Sequence, residues 1–374
     1  MMDLPVKPIN LRLGPISCHA WNKDRTQVAV SASSPEVHII AWRNNRWDRV
    51  HTLSEHDLPV TGIDWAPNTN RIVTCSQDKN AYVWTFDGKV WKPELVLVRL
   101  PKAATCVKWS PSEAKFAVGS GAKVISVCYY VEQNDWWIAK QIRKPMRSTI
   151  TAIDWHPNSI LLAVGSCDFK ARVFSAYVKE VDDKPGPTPW GSKMPLGELM
   201  SEYFNPGWVH DVKFSPNGSR LAWVGHDSSL CIADAGASSE NITTLKEWCL
   251  PFTTCEWITE SSIVVAGHDC CPFLFRYTGP SKLEFVSKLD VPSERKASGF
   301  SAMNKFRNLD AKADDSMAID STLKTLHQNS ITQIARYAGH HGQTTKFSTS
   351  GIDGLLVLWD LQELGKKIPS IKIT

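Results

Sequence analysis

The 374-residue chain has little of what most function classes require. It has no run of about eighteen apolar residues, the length a membrane-spanning helix needs. Its start, Met-Met-Asp-Leu-Pro-Val-Lys, has no basic segment ahead of an apolar one, so neither a membrane span nor a secretory leader is expected. Net charge is low: +4 from 42 basic and 38 acidic residues argues against sustained nucleic-acid binding. The ten cysteines include no C-x-x-C pair and sit singly in predicted strands apart from the adjacent Cys270 and Cys271, which suits reduced core thiols of a cytosolic protein. A zinc site at His268, Asp269, Cys270 and Cys271 is disfavoured, because neighbouring strand residues face opposite ways and no second ligand pair completes a tetrahedron. Gly119-Ser120-Gly121-Ala122-Lys123 lacks the Walker spacing and opens a strand, so it reads as a turn and not a phosphate loop. No isolated carboxylate pair stands out for acid-base chemistry, and no catalytic residue, metal or cofactor is expected.

What the chain has is a repeat. An inner segment ending in an aromatic, followed by an apolar run and a polar turn, recurs seven times. Its copies include VTGIDWAPN with IVTCSQDKNAYVW, ATCVKWSPS with FAVGSGAKVISV, and ITAIDWHPN with LLAVGSCDFKARVF. The aromatics are Trp21, Trp65, Trp109, Trp155, Phe214 and Trp257, and the equivalent position in the last copy falls at Arg336. The intervals are 44, 44, 46, 59, 43 and 79, so most match one four-stranded propeller blade. One blade cannot cover its own two apolar faces, and closing seven in a circle supplies the missing neighbours. The predicted fold is all-β, a single seven-bladed β-propeller over 1–374 with a partly helical insertion between blades six and seven.

Two copies share a finer pattern. Thr74, Asp78 and Trp84 stand at the same mutual offsets as Thr349, Asp353 and Trp359, and His56 lies four residues before Val60 as His327 lies four before Ile331. Such a set predicts a buried hydrogen-bond chain that pins each blade, which is the pattern of WD-repeat propellers. A Ser/His/Asp catalytic interpretation fails because the set recurs, whereas an enzyme needs one site. In such rings one blade combines strands from both chain ends, so Val6 to Leu11 is expected to supply the outer strand of blade seven.

The two long intervals mark insertions. The first, 181–206, carries Pro185, Pro187, Pro189 and Pro195, which exclude a helix or central strand. Its Trp190, Met194, Leu196 and Leu199 suit either packing on the outer blade edge or a partner contact. The second, 292–326, places Met303, Phe306 and Leu309 three apart on a short helix capped by Ser301. A helix this short needs its stripe docked, either on the propeller itself or on a partner.

At this point a closer likeness appears. Thr61-Gly62-Ile63-Asp64-Trp65-Ala66-Pro67, Pro187-Thr188-Pro189-Trp190-Gly191-Ser192-Lys193-Met194-Pro195 and Phe306-Arg307-Asn308-Leu309-Asp310 resemble the WD-repeat subunit family of the actin-related protein 2/3 complex, over nearly the whole chain. The resemblance implies a non-catalytic subunit of the assembly that nucleates branched actin, located in the cytoplasm with cortical or patch actin. It implies that Phe300, Met303, Phe306, Arg307 and Leu309 contact the side of the mother filament. It also makes Trp136, Trp137, Lys140, Arg143, Lys144 and Arg147 a candidate site for the acidic, Trp-bearing tails of nucleation-promoting factors. Solvated lysines that protect a sheet edge are the plainer account of that cluster. Implied partners are the other subunits of the complex, the actin filament and those acidic tails, with no nucleic acid and no membrane insertion. The alternative from a different class is a general WD-repeat adaptor, such as a substrate receptor, binding a peptide over the propeller face.

Overall fold

The computed structural model describes residues 6–236, 241–246, 248–290, 323–340 and 342–368. These residues form seven four-stranded antiparallel sheets. Blades one to six take their strands in chain order, from β2 (Cys18–Trp21), β3 (Gln27–Ser31), β4 (Val37–Arg43) and β5 (Arg46–Leu53) onward. The inner strands of the following blades are β6 (Val60–Trp65), β10 (Ala104–Trp109), β14 (Ile150–Trp155), β18 (Val209–Phe214), β22 (Phe252–Trp257) and β26 (Ile331–His340). Each inner strand lies against the next, and β26 lies against β2, so the ring closes.

Closure is split between the chain ends. Strand β1 (Val6–Asn10) pairs antiparallel with β28 (Leu355–Asp360), in a register that sets Val6 opposite Trp359 and Asn10 opposite Leu355. The outer strand of blade seven therefore comes from the start of the chain, as its position ahead of the first repeat suggests. Helix α1 (Leu361–Lys367) follows β28, capped by Asp360, whose carboxylate accepts the N–H groups of Gln362 and Glu363.

The recurring turn aspartate has a local cause. The residue after it takes a left-handed backbone in blade after blade: Lys79, Phe169, Ser228, Cys270 and Gly354 have φ of 73, 65, 63, 59 and 78°. The carboxylate steadies this turn by accepting the N–H two residues on, at 2.8 Å from Asn80 to Asp78 and 3.1 Å from Leu355 to Asp353. Cys167, Cys249, Cys270 and Cys271 lie in such turns and connections and not inside strands, which corrects the expectation from sequence for those four. All ten cysteines are free thiols.

The core sits between blades. Apolar side chains of adjacent sheets form one cluster per interface, for instance Trp109, Phe116, Val118 and Trp137 of blade three with Val73, Val83 and Val96 of blade two. Gly119 belongs to this packing. A Cβ there would come within 2.6 Å of Cys106 Sγ and 2.8 Å of Ile150, so this glycine permits close approach of blades three and four.

Candidate functional surfaces

The two repeated tetrads are buried chains. In blade two Trp84 donates its indole N–H to Thr74 Oγ1 at 2.9 Å, Thr74 Oγ1 lies 2.9 Å from His56 Nε2, and His56 Nδ1 lies 2.8 Å from Asp78. In blade seven the same links run Trp359 to Thr349 at 2.8 Å, Thr349 to His327 at 2.8 Å, and His327 to Asp353 at 3.0 Å. In blade two the threonine hydroxyl, having accepted from the indole, can donate to Nε2, which leaves the His56 proton on Nδ1 facing Asp78. Burial lowers the His56 pKa against the pull of Asp78, consistent with that neutral form. Burial acts to raise Asp353, but the hydrogen bond from His327 and two backbone N–H groups hold its carboxyl below the ordinary range. Both tetrads tie the outer connection of a blade to its middle strands.

Other blades solve the same position differently. Asp168 receives Arg172 at 2.9 Å, and Arg172 also donates to Glu202 at 2.7 Å while remaining almost fully buried. In blade five Asn205 takes the histidine's place, accepting from the Trp223 indole at 3.1 Å and donating to Asp227 at 3.3 Å.

The seams carry a second motif. Near the start of six of the seven inner strands a hydroxyl donates to a carbonyl at the next blade: Ser17 to Val60, Thr61 to Ala104, Thr105 to Ile150, Thr151 to Val209, Thr253 to Ile331 and Thr332 to Ile16. Blade five has His210 there. Its seam is bridged instead by Asp211, which accepts from Thr254 Oγ1 at 3.1 Å and Cys255 N at 3.0 Å. The sequence signal was present, since these hydroxyls repeat with the same period as the aromatics. The seam between blades seven and one is closed further by buried His19, whose ring nitrogens lie 2.9 and 2.8 Å from Ser350 and Ser348.

The first insertion is packed against its own ring. Strand β17 (Leu199–Phe204) is the outer strand of blade four, so the extra chain lies between it and β16 (Lys170–Ser175), and the last part of 181–206 is regular sheet. This corrects the boundary expected from sequence. Trp190 is buried against Phe214 and donates to Gly218 O at 2.8 Å, and Met194 is buried in the same cluster. Leu196 is half-buried, and Leu199 is exposed on β17. A fully buried Lys115 holds the loop from below: it pairs with Asp182 and donates to Ala176 O at 2.8 Å.

The basic cluster is split by the sheet. Strand β13 (Trp136–Ile142) is the outer strand of blade three, and alternation sends its neighbours to opposite faces. Trp136 is exposed, whereas Trp137 is buried with Trp109 and Phe116. Lys140 is paired to Glu180 at 2.7 Å, and Arg143 donates to Gln141 Oε1. Arg143, Lys144 and Arg147 are exposed, with the backbone N–H of Arg147 tied to Asp168. Of the six residues, Trp136 and these three basic side chains are therefore open to a ligand. Phe300, Met303, Phe306, Arg307 and Leu309 lie outside the described residues.

Comparison with known proteins adds to this geometry. The sequence pattern of the WD domain, G-beta repeat family matches residues 47–85 and 140–175. Both stretches begin in the outer strand of one blade and end in the third strand of the next, the same offset that makes β1 complete blade seven. Over nearly its full length the chain is similar to three curated proteins. It is 54% identical to actin-related protein 2/3 complex subunit 1A-A of Xenopus laevis, covering 96% of this chain and 98% of that one. It is 46% identical to subunit 1 of that complex in Schizosaccharomyces pombe, covering 92% and 96%. It is 38% identical to subunit 1B in Arabidopsis thaliana, covering 94% and 96%.

Proposed function

This chain belongs to the actin-related protein 2/3 complex subunit 1 family, and from that premise we propose that it is the propeller subunit of that complex, serving actin nucleation without catalysing a reaction. The observation that carries this is identity spread over almost the whole chain in relatives from a frog, a fission yeast and a plant, each named as a form of subunit 1 of that complex. The geometry agrees with a scaffold. Its conserved-offset polar groups are consumed in tetrads and seams that hold blades together, leaving no spare nucleophile-base pair among them. Its place is then the cytoplasm, with actin structures.

Two finer assignments belong to the same proposal. The 292–326 insertion contacts the mother filament through Phe300, Met303, Phe306, Arg307 and Leu309, supported by their apolar stripe and by the family likeness. Burying three such side chains is worth roughly 4–9 kcal/mol in gross, short of what a freestanding complex needs but enough for one contact within a larger assembly. Acidic tails of nucleation-promoting factors meet Trp136, Arg143, Lys144 and Arg147, supported by the exposure of these four side chains.

Co-purification tests the assignment. The untagged chain isolated from its own cells should bring the other subunits of the complex at fixed stoichiometry, identified by mass, and recovery of the chain alone or with unrelated adaptor partners would refute it. Phe306→Ala should weaken filament-side binding of the assembled complex several-fold with blade stability unchanged. A sharp fall in unfolding temperature would instead place that stripe in the propeller core.

A further inference from the structure

One end of the central channel is built unlike the rest of the ring. Five inner strands finish there on Trp65, Trp109, Trp155, Phe214 and Trp257, and Pro67, Pro111, Pro157 and Pro216 form the rim. Together they enclose a cavity of about 300 Å³. Prolines carry no N–H, so the rim offers an anion few donors.

The charges point the other way. Four carboxylates, Asp64, Glu113, Asp154 and Glu256, line this cavity against two cations, Lys108 and Arg336. Lys108 pairs with Asp64 at 3.2 Å and Arg336 with Glu256 at 3.2 Å. Glu113 is committed to the turn of blade two, accepting the N–H groups of Asn68 and Thr69. Asp154 has no ion-pair contact among the described residues and accepts only the N–H of Phe214, at 2.9 Å. Lys213, one residue before Phe214, stands deeper in the channel at 3.5 Å from Asp211. Burial raises the Asp154 carboxyl to about 6, with Lys213 and Lys108 drawing it down and Glu256 pushing it up.

We propose that this mouth is a receptor for one arginine side chain presented by a partner polypeptide, its guanidinium seated on Asp154 and its methylene stem lying along the Trp and Pro walls. A planar, weakly hydrated cation suits a narrow site with aromatic walls and a carboxylate floor better than a compact ammonium does. The stem gains apolar contact while the head answers the excess negative charge. The inference concerns a face of the ring that neither the filament contact nor the acidic-tail assignment uses, so it stands or falls apart from them.

The test is a titration of the purified full chain with N-acetylarginine amide, read by tryptophan fluorescence, beside its neutral isostere N-acetylcitrulline amide. Saturable binding is expected for the arginine probe and at least tenfold weaker binding for citrulline. Free arginine should also bind more weakly, because its carboxylate meets Glu113 and Glu256. Asp154→Asn should weaken the arginine probe at least tenfold, Asp135→Asn on the blade-three hairpin should leave it unchanged, and Pro157→Arg, which fills the mouth from its rim, should abolish it. Should Asp154→Asn fail to fold, the wild-type affinity must fall between pH 7 and pH 5 as Asp154 protonates. Equal binding of citrulline, tighter binding of free arginine, an unaffected Asp154→Asn or an affinity flat across that pH range would each overturn the proposal.

Discussion

At the scale of single residues the account turns on buried polar groups that are fully paired. Thr74 is the hub of one tetrad, so Thr74→Val strands both the Trp84 indole N–H and His56 Nε2. The expected loss is about 1–3 kcal/mol for each unsatisfied group, seen as a lower urea midpoint, and Thr74→Ser should recover most of it. A midpoint unchanged in Thr74→Val would mean the chain carries no weight in the fold. Asp154 gives a prediction of opposite sign. Its folded pKa is raised to about 6 from 3.8, so the folded state binds the proton more tightly, and the penalty for its charge is relieved as pH falls through 6. Asp154→Asn keeps an acceptor for Phe214 N–H, and should leave stability at pH 7 equal or higher while flattening its dependence between pH 7 and 4. Buried His19, lowered to about 3 chiefly by burial, acts the other way, and its contribution is lost as pH falls below 6.5. The tetrads were legible in the sequence because Thr, Asp and Trp keep fixed short offsets in two copies and each His keeps its own, four residues ahead of an inner strand. Lys115 with Asp182, and His19 with Ser348 and Ser350, were not, because their partners come from other blades and share no offset that repeats.

At the scale of elements the informative cases are the two that break the repeat. Strand β1 buries Ile9 and covers the edge of β28. Removing residues 1–11 should cost at least about 2 kcal/mol from that side chain alone and leave an open strand edge that promotes association. Differential scanning calorimetry and light scattering would register both effects, and a full-stability monomer would contradict the assigned closure. Trp190→Ala should cost about 3–5 kcal/mol if the first insertion is part of the core, with proteolysis appearing first in the connection between β16 and β17 of blade four. A negligible change would return the insertion to the status of a free contact loop. The interval of 59 residues announced extra chain here, and its apolar content announced that something is buried. Which surface buries it depended on Phe214 and Gly218 of the following blade, and that contact leaves no mark in local spacing. The boundary expected from sequence ran into β17 because this edge strand, Leu-Met-Ser-Glu-Tyr-Phe, lacks a clean alternation that would separate it from the loop.

At the scale of the whole molecule the number of blades was readable from the period of one aromatic, since every copy must present the same faces to its neighbours. The closure by both chain ends was readable too, from a spare segment ahead of the first copy. What a closed ring does not disclose by itself is which of its surfaces a partner takes. The split of Trp136 from Trp137 illustrates why: residues adjacent in sequence lie on opposite faces of an outer strand, so a run of like charges need not form one patch. The central claim is that the ring is a seat within the nucleating complex and that its excursion between blades six and seven reaches the mother filament. The most direct measurement is branching by the complex reconstituted with residues 295–321 deleted from this chain. Intact assembly, with filament-side binding and branching both strongly reduced, is the predicted result, and an intact complex that branches at the full rate would contradict it.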